Sequence, residues 1–380
     1  MHRREILDWL RVKDERRLDE LWCRADEVRR LHVGDEVHLR GLIEFSNHCV
    51  RRCAYCGLRA GNRRIERYRM TADEILDCAR QAVAYGYGTV VLQSGEDPGT
   101  QAAWLADVIR RIKAETPLAV TLSLGEREDD ELALWRKAGA DRYLLRFETS
   151  NRRLYERIHP PRPGVRSDRF AILRRLRELG YEVGSGVMIG IPGQTYDDLA
   201  EDIETFRRLR LDMIGVGPYI AHPDTPLGQP RQDAPVRTPA GPAAQPGNRA
   251  AVFAVDTAVA HEQVPSTELM TYKTIALARI VCPQANIPST TALATLNRAN
   301  GRELGLSRGA NVIMPNLTPL RYRSLYEIYP AKACLYETAA ECDACLKRRL
   351  RAMGREVGTG RGDSPGRNPV TTIPRSAEKD

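Results

Sequence analysis

Short apolar runs of strand type alternate with amphipathic stretches of helix type along most of this chain. The apolar runs fall at 37–45, 89–94, 119–124, 142–147, 182–190, 213–220, 287–293 and 310–315. Between them, Thr71 and Glu74 form a T-x-x-E capping box that opens a helix with Ile75, Leu76, Ala79 and Val83 on one face. Phe170, Leu173 and Leu176 recur at helical spacing, as do Leu199, Ile203, Phe206 and Leu209. Eight strands alternating with helices predict an α/β fold, a parallel sheet closed as a (β/α)8 TIM barrel, with a doubly wound open sheet as the alternative. Residues 1–35 read as N-terminal helices, 36–330 as the barrel and 331–355 as a C-terminal extension. Two segments break the rhythm. The stretch 228–267, rich in Pro, Ala, Gly and Gln, predicts a flexible insertion. Residues 356–380 predict a disordered tail, in which Arg361-Gly362-Asp363 has no assigned role.

Composition narrows the function classes. The chain has 380 residues, 42% hydrophobic and 28% charged, an ordinary globular balance. It has no apolar run long enough to span a membrane, and its charged start is not a secretory signal, so a cytoplasmic protein is expected. The net charge of +8 is spread along helix faces rather than gathered with aromatics, which predicts a solvated surface and no nucleic-acid partner. Nine cysteines in such a chain predict ligands or free thiols rather than disulfides. Cys23, Cys78 and Cys282 stand alone among apolar residues and read as buried thiols. The other six form two trios.

The first trio, in NHCVRRCAYCGL at 47–58, is Cys49, Cys53 and Cys56. A closed structural zinc site takes four ligands, and no fourth is evident nearby. A 4Fe–4S cubane takes one thiolate per iron, so three leave one iron open to a substrate or cofactor. This C-x3-C-x-aromatic-C spacing, following the first strand, resembles the signature of the radical S-adenosylmethionine (SAM) superfamily. The resemblance implies that the open iron chelates SAM and that the reduced cluster cleaves it to methionine and a 5′-deoxyadenosyl radical. Ser94-Gly95-Glu96 closes the second strand, where the superfamily usually has G-G-E at the methionyl amine.

The stretches VLQSGEDP, AGADRYLLRFET, IGIPGQTYDDL, ANIPSTTAL and GANVIMPNLTP resemble those of the HydE family, maturases of FeFe-hydrogenase. The similarity runs from about residue 24 to 355, outside the insertion. It implies that Tyr55, Ser94, Gly95, Glu96, Ser123, Glu148, Arg169 and Met188 bind SAM. It implies that Gln93, Thr121, Arg142, Arg146, Thr290, Thr291, Met314 and Tyr329 line a deep substrate cavity. The second trio, Cys334, Cys342 and Cys345, resembles an accessory site for a second cluster, 4Fe–4S or 2Fe–2S. The implied substrate is a small iron complex bearing cysteine, carbon monoxide and cyanide, made by a partner maturase. The product passes to a scaffold GTPase maturase, and a reduced ferredoxin or flavodoxin supplies the electron. Phe147 and Ala294 depart from the His and Gly common in relatives. Methylornithine synthase, a related mutase, is the rival reading. A non-catalytic iron–sulfur or zinc protein belongs to a different class, which SAM cleavage would exclude.

Overall fold

The computed structural model describes residues 1–165, 167–229 and 262–366. Most of the expected insertion, at 230–261, and the last residues, 367–380, lie outside the described residues.

Two helices, α1 (Arg3–Arg11) and α2 (Glu15–Val33), precede the first strand, β1 (Glu36–Ser46). The chain then alternates through α3 (Ala72–Ala84), β2 (Thr89–Ser94), α4 (Ala102–Glu115), β3 (Ala119–Ser123), α5 (Asp129–Ala138) and β4 (Arg142–Leu144). It continues with α6 (Arg152–Ile158), α7 (Arg169–Glu178), β5 (Glu182–Ile189), α8 (Tyr196–Arg208) and β6 (Met213–Pro218). Past the insertion come α9 (Glu268–Val281), α10 (Thr291–Leu296), α11 (Gly301–Leu306) and β7 (Val312–Ile313). The C-terminal part adds α12 (Leu320–Arg323), α13 (Ala339–Ala352) and β8 (Glu356–Val357). The expected capping box is present, with Thr71 and Glu74 satisfying each other's backbone N–H groups at the start of α3. Val83, expected on its inner face, is exposed, and Ala82 is buried instead.

The strands pair in parallel in the order β6-β5-β4-β3-β2-β1-β7. Two isolated parallel bridges, Met213 with Asn286 and Pro288 with Val312, close the ring between β6 and β7. The seventh expected strand, 287–293, is thus reduced to a few residues. Pro288 has no N–H to give a ladder, and Thr291 already begins α10. A parallel barrel puts every strand's C-terminal end at one mouth, the upper one here.

Three expectations need correction. Cys23 is exposed and Cys282 half-buried, so of the three lone cysteines only Cys78 is a buried thiol. On α2 the inward register is Leu18, Leu21 and Ala25, which turns Cys23 outward. Residues 356–366 of the expected tail are packed against the barrel. β8 pairs with the start of β1, Glu36 with Glu356 and Val37 with Val357, and the chain then crosses beneath the barrel. The flanks of the insertion are also packed: Val264 is buried, and Gln263 bridges to Thr195.

Trp135 of α5 is among the largest fully buried side chains, and its Nε1 donates to Ala102 O at 2.9 Å. Trp135→Ala should cost about 3–5 kcal/mol. Denaturant titration should show a lowered midpoint at unchanged slope.

Candidate active site

The loop after β1 is built to hold three thiols close together. Asn47 is fully buried and donates to Glu66 O and Leu325 O, while its Oδ1 accepts from Tyr68 N. Arg67 donates to the carbonyls of Asn47, Leu58, Arg59 and Asn62, so one guanidinium ties together both ends of the loop. Arg59 Nε donates to Cys53 O. Val50 N donates to Glu96 O, Ala54 N to Ile158 O and Gly57 N to Ile328 O. Gly95 must lack a side chain, because a Cβ there would fall 2.2 Å from His48 O and 2.8 Å from Cys49 Cβ.

The loop suits a cluster with three ligands. Cys49, Cys53 and Cys56 lie close together: besides burial, the charges of Cys56 and Cys49 raise Cys53, and that of Cys49 raises Cys56. Burial pushes all three thiols up, Cys56 to about 12. Backbone N–H groups of Arg51 and Glu96 oppose this at Cys49, and that of Leu58 does so at Cys56. Metal loading must therefore release protons. Among the described residues no three His, Cys, Asp or Glu groups converge on a single metal ion. Three thiols with backbone donors and a nearby guanidinium fit an iron–sulfur cluster.

Beside this loop runs a lattice of buried charges. Glu96 pairs with Arg51 at 2.7 Å, and Arg51 pairs with Glu126 at 2.5 Å. Arg169 pairs with Glu126 at 2.9 Å and donates to Arg146 O. Two of the expected SAM ligands, Glu96 and Arg169, are therefore engaged with protein partners, and the lattice fixes the mouth's shape. Ser94 Oγ is turned onto Gly95 O, and Ser123, beside Gln93 in the sheet, is half-buried.

Glu148, four residues past the end of β4, sits in the left-handed region, φ 62°, which is costly for a residue with a side chain. Its backbone is clamped on both sides, N to Gly186 O and O from Met188 N. Its carboxylate meets Arg146 at 2.9 Å and lies 3.4 Å from the Tyr55 hydroxyl. Tyr55 also meets His159 Nε2 at 2.9 Å. His159 is buried, and burial with the nearby Arg169 pushes it well below its usual range.

Beneath Tyr55 and Met188 opens an internal cavity of about 210 Å³. Gln93, Thr121, Arg146, Thr290, Thr291, Met314 and Tyr329 all line it. Thr121 Oγ1 is buried there without a partner, whereas Thr290 Oγ1 caps α10. Arg142 does not line it. Its side chain is fully buried at the lower end of the barrel, paired with Glu182 at 2.7 Å. Arg142 opens β4, whereas Arg146 lies two residues beyond its end at Leu144, about 13 Å further along if the chain stays extended, so the two differ in height. Sequence reasoning missed Arg40, Asn286 and the buried pair Glu44–Lys332, which also line the cavity. It also missed Arg51, Arg67, Glu126 and His159. The only local signal was the density of arginines around the cysteine loop.

The second trio gathers around a separate cavity of about 340 Å³ with Arg302 and Arg349. Cys334 sits in the left-handed region, φ 63°. A hydrogen bond from Cys342 and, against burial, the Arg302 guanidinium at 3.2 Å draw Cys334 below the usual thiol range. Cys342 and Cys345 lie one turn apart on α13. Ala294 lines this cavity, and Phe147 packs between Phe170 and Phe206.

Residues 43–206 match the Radical SAM superfamily. The [FeFe] hydrogenase maturase subunit HydE of Thermotoga maritima is 43% identical over 356 residues, 93% of this chain and 92% of its own length. A 3-methylornithine synthase of Methanosarcina acetivorans is 24% identical over 355 residues, 91% of this chain and 87% of its own. The crystal structure of methylornithine synthase (PylB) superimposes with a TM-score of 0.72 at 22% identity over 94% of each chain, a likeness of fold. No helix among the described residues is long and apolar enough to cross a membrane.

Asp97, buried next to Glu96, accepts from Ser46 Oγ, Gly99 N and both arms of Arg69. Burial alone would raise it, but these donors outweigh burial and hold it at about 2, against 3.8 ordinarily. Its contribution is therefore complete above about pH 4 and lost as the pH falls toward 2, roughly 2 kcal/mol in all. Denaturant midpoints of metal-free protein should show this loss in the wild type and not in Asp97→Asn.

Proposed function

The chain belongs to the HydE family of radical SAM enzymes, and from that premise we propose that it acts in FeFe-hydrogenase maturation on a small cysteine-ligated iron complex with carbon monoxide and cyanide ligands. The observation that carries the reading is the three-thiol loop at the upper mouth of the barrel, whose Tyr55 lines the cavity below. Cys49, Cys53 and Cys56 would hold a 4Fe–4S cluster, which supplies the electron for reductive cleavage of SAM to methionine and a 5′-deoxyadenosyl radical.

The chain's own residues would hold the reactants in place and keep water out. Tyr55 and Met188 stand between the loop and the cavity, so SAM bound there separates the two spaces. Glu148, fixed by its backbone clamps, presents a carboxylate for the amine or ribose of SAM. Arg146 pairs with that carboxylate and also faces the cavity, where its Nε lacks a hydrogen-bond partner. An anionic iron complex would meet that free donor. The remaining wall is mostly apolar, which disfavours water beside the reactants. Cys334, Cys342 and Cys345 would hold a second cluster on the far side of α10, outside this cavity. A scaffold maturase would take the product, and a reduced ferredoxin or flavodoxin would supply the electron.

Cys53→Ala should abolish formation of 5′-deoxyadenosine by the reduced, reconstituted protein. Cys342→Ala should keep it within about twofold of wild type. Normal SAM cleavage by Cys53→Ala would overturn the assignment. Conversion of lysine to methylornithine by the wild type would replace this substrate with that of the rival mutase.

A further inference from the structure

The C-terminal segment after β8 does not leave the barrel. It crosses the lower mouth, and its Arg-Gly-Asp triplet lies among the charges buried there. Arg142 Nη2 donates to Arg361 O at 2.9 Å and pairs with Asp363, while Arg142 Nε pairs with Glu182. Arg361 itself pairs with Asp141 at 2.7 Å. Thr89 Oγ1 donates to Arg361 O, and Ser364 N donates to Glu182 Oε1. Gly362 O accepts from Arg40 Nη2 at 2.9 Å and from Asn286 Nδ2 at 3.1 Å. The last two contacts matter most, because Arg40 and Asn286 also line the internal cavity. The segment lies directly behind them.

We infer that residues 359–364 are the floor of the reaction cavity: they close its lower mouth against water and position Arg40 at its base. The inference rests on the proposed function for what the cavity holds, but not for the closure itself. Two physical arguments support it. The first is charge. Arg40 and Arg142 are both buried, and Glu182 and Asp363 are the carboxylates that face them. Without Asp363, two guanidiniums would share one carboxylate in a low-dielectric space, an arrangement that draws in water or an ion. The second is fit. Gly88, just before β2, touches the segment so closely that a Cβ there would fall 1.5 Å from Gly360 O. A glycine at 88 leaves room for the backbone above it to seat against the barrel rim.

The floor is a positioning element, so its test separates closure from general stability. Leu144 lines the cavity near its base, and Leu144→Cys provides a reporter thiol. In holoenzyme with SAM bound, a methanethiosulfonate reagent should label this thiol roughly tenfold faster when residues 359–380 are deleted. The exposed Cys23 serves as the internal standard. Gly88→Ala should speed labelling in the same direction with the chain intact. Equal rates with and without the segment would overturn the floor. In the same variants, dithionite-driven SAM cleavage without substrate should stay within about twofold, while KM for the iron complex rises roughly tenfold. A parallel fall in SAM cleavage with unchanged KM would show a merely structural role and also overturn the inference. If the wild type fails to convert the iron complex, the proposed function falls, and the labelling arm still decides the floor.

Discussion

Charge buried inside the barrel must find a partner, and most of the site follows from that requirement. A buried ion left alone costs several kcal/mol, so each one fixes the position of another group. At the upper mouth, Glu96, Arg51, Glu126 and Arg169 form one chain of ion pairs that spans the ends of β2, β3 and α7. At the lower mouth, Arg142, Glu182 and Asp363 form another that reaches into the C-terminal segment. Between them, Glu44 and Lys332 pair on the cavity wall, and Asn316 satisfies the second carboxylate oxygen at 2.9 Å. Arg40 at the cavity base is the exception: it has no ion pair among the described residues and donates instead to Met213 Sδ and Gly362 O.

The cysteine loop works by a different balance. Its thiols are buried, and burial pushes each of them toward the neutral form. Its shape comes from groups that do not depend on metal: the Arg67 fork on four carbonyls, the buried Asn47 amide and the missing side chain at Gly95. An iron–sulfur cluster held by Cys49, Cys53 and Cys56 would displace their protons in a loop whose backbone these contacts place.

The barrel and the cysteine loop were legible because they rest on local patterns. Strand and helix periods repeat along the chain, and C-x3-C-x2-C is contained in eight residues. What failed depended on height or on distant partners. Period-two alternation puts Arg142 and Arg146 on one face but cannot say that one sits at the floor and the other near the mouth. The tail reads as disordered from its glycines, prolines and charges. Its order comes from Arg40, Arg142 and Glu182, which lie about 180 to 320 residues earlier in the chain. His159 and Glu126 gave no local signal, since each becomes part of the site only through contacts across the mouth.

One short stretch shows how the separate parts are joined. Tyr326 O lies near Lys332 Nζ, and Ile328 O accepts from Gly57 N beside the first cysteine trio. Tyr329 and Lys332 then line the cavity, and Ala333 N donates to Thr295 Oγ1 on α10. Cys334 follows at once, in a left-handed backbone that Ala331 also adopts. Two such conformations within four residues are costly, and they persist only where surrounding contacts over-determine them. Here those contacts are the Lys332–Glu44 pair and the Arg302–Cys334 hydrogen bond. The segment therefore reaches from the first cysteine loop, along the cavity wall, to the second trio. Cys334 and the cavity-lining residues Tyr329 and Lys332 lie on one continuous stretch of backbone, held at one end by the Arg302–Cys334 hydrogen bond and along the wall by the Lys332–Glu44 pair.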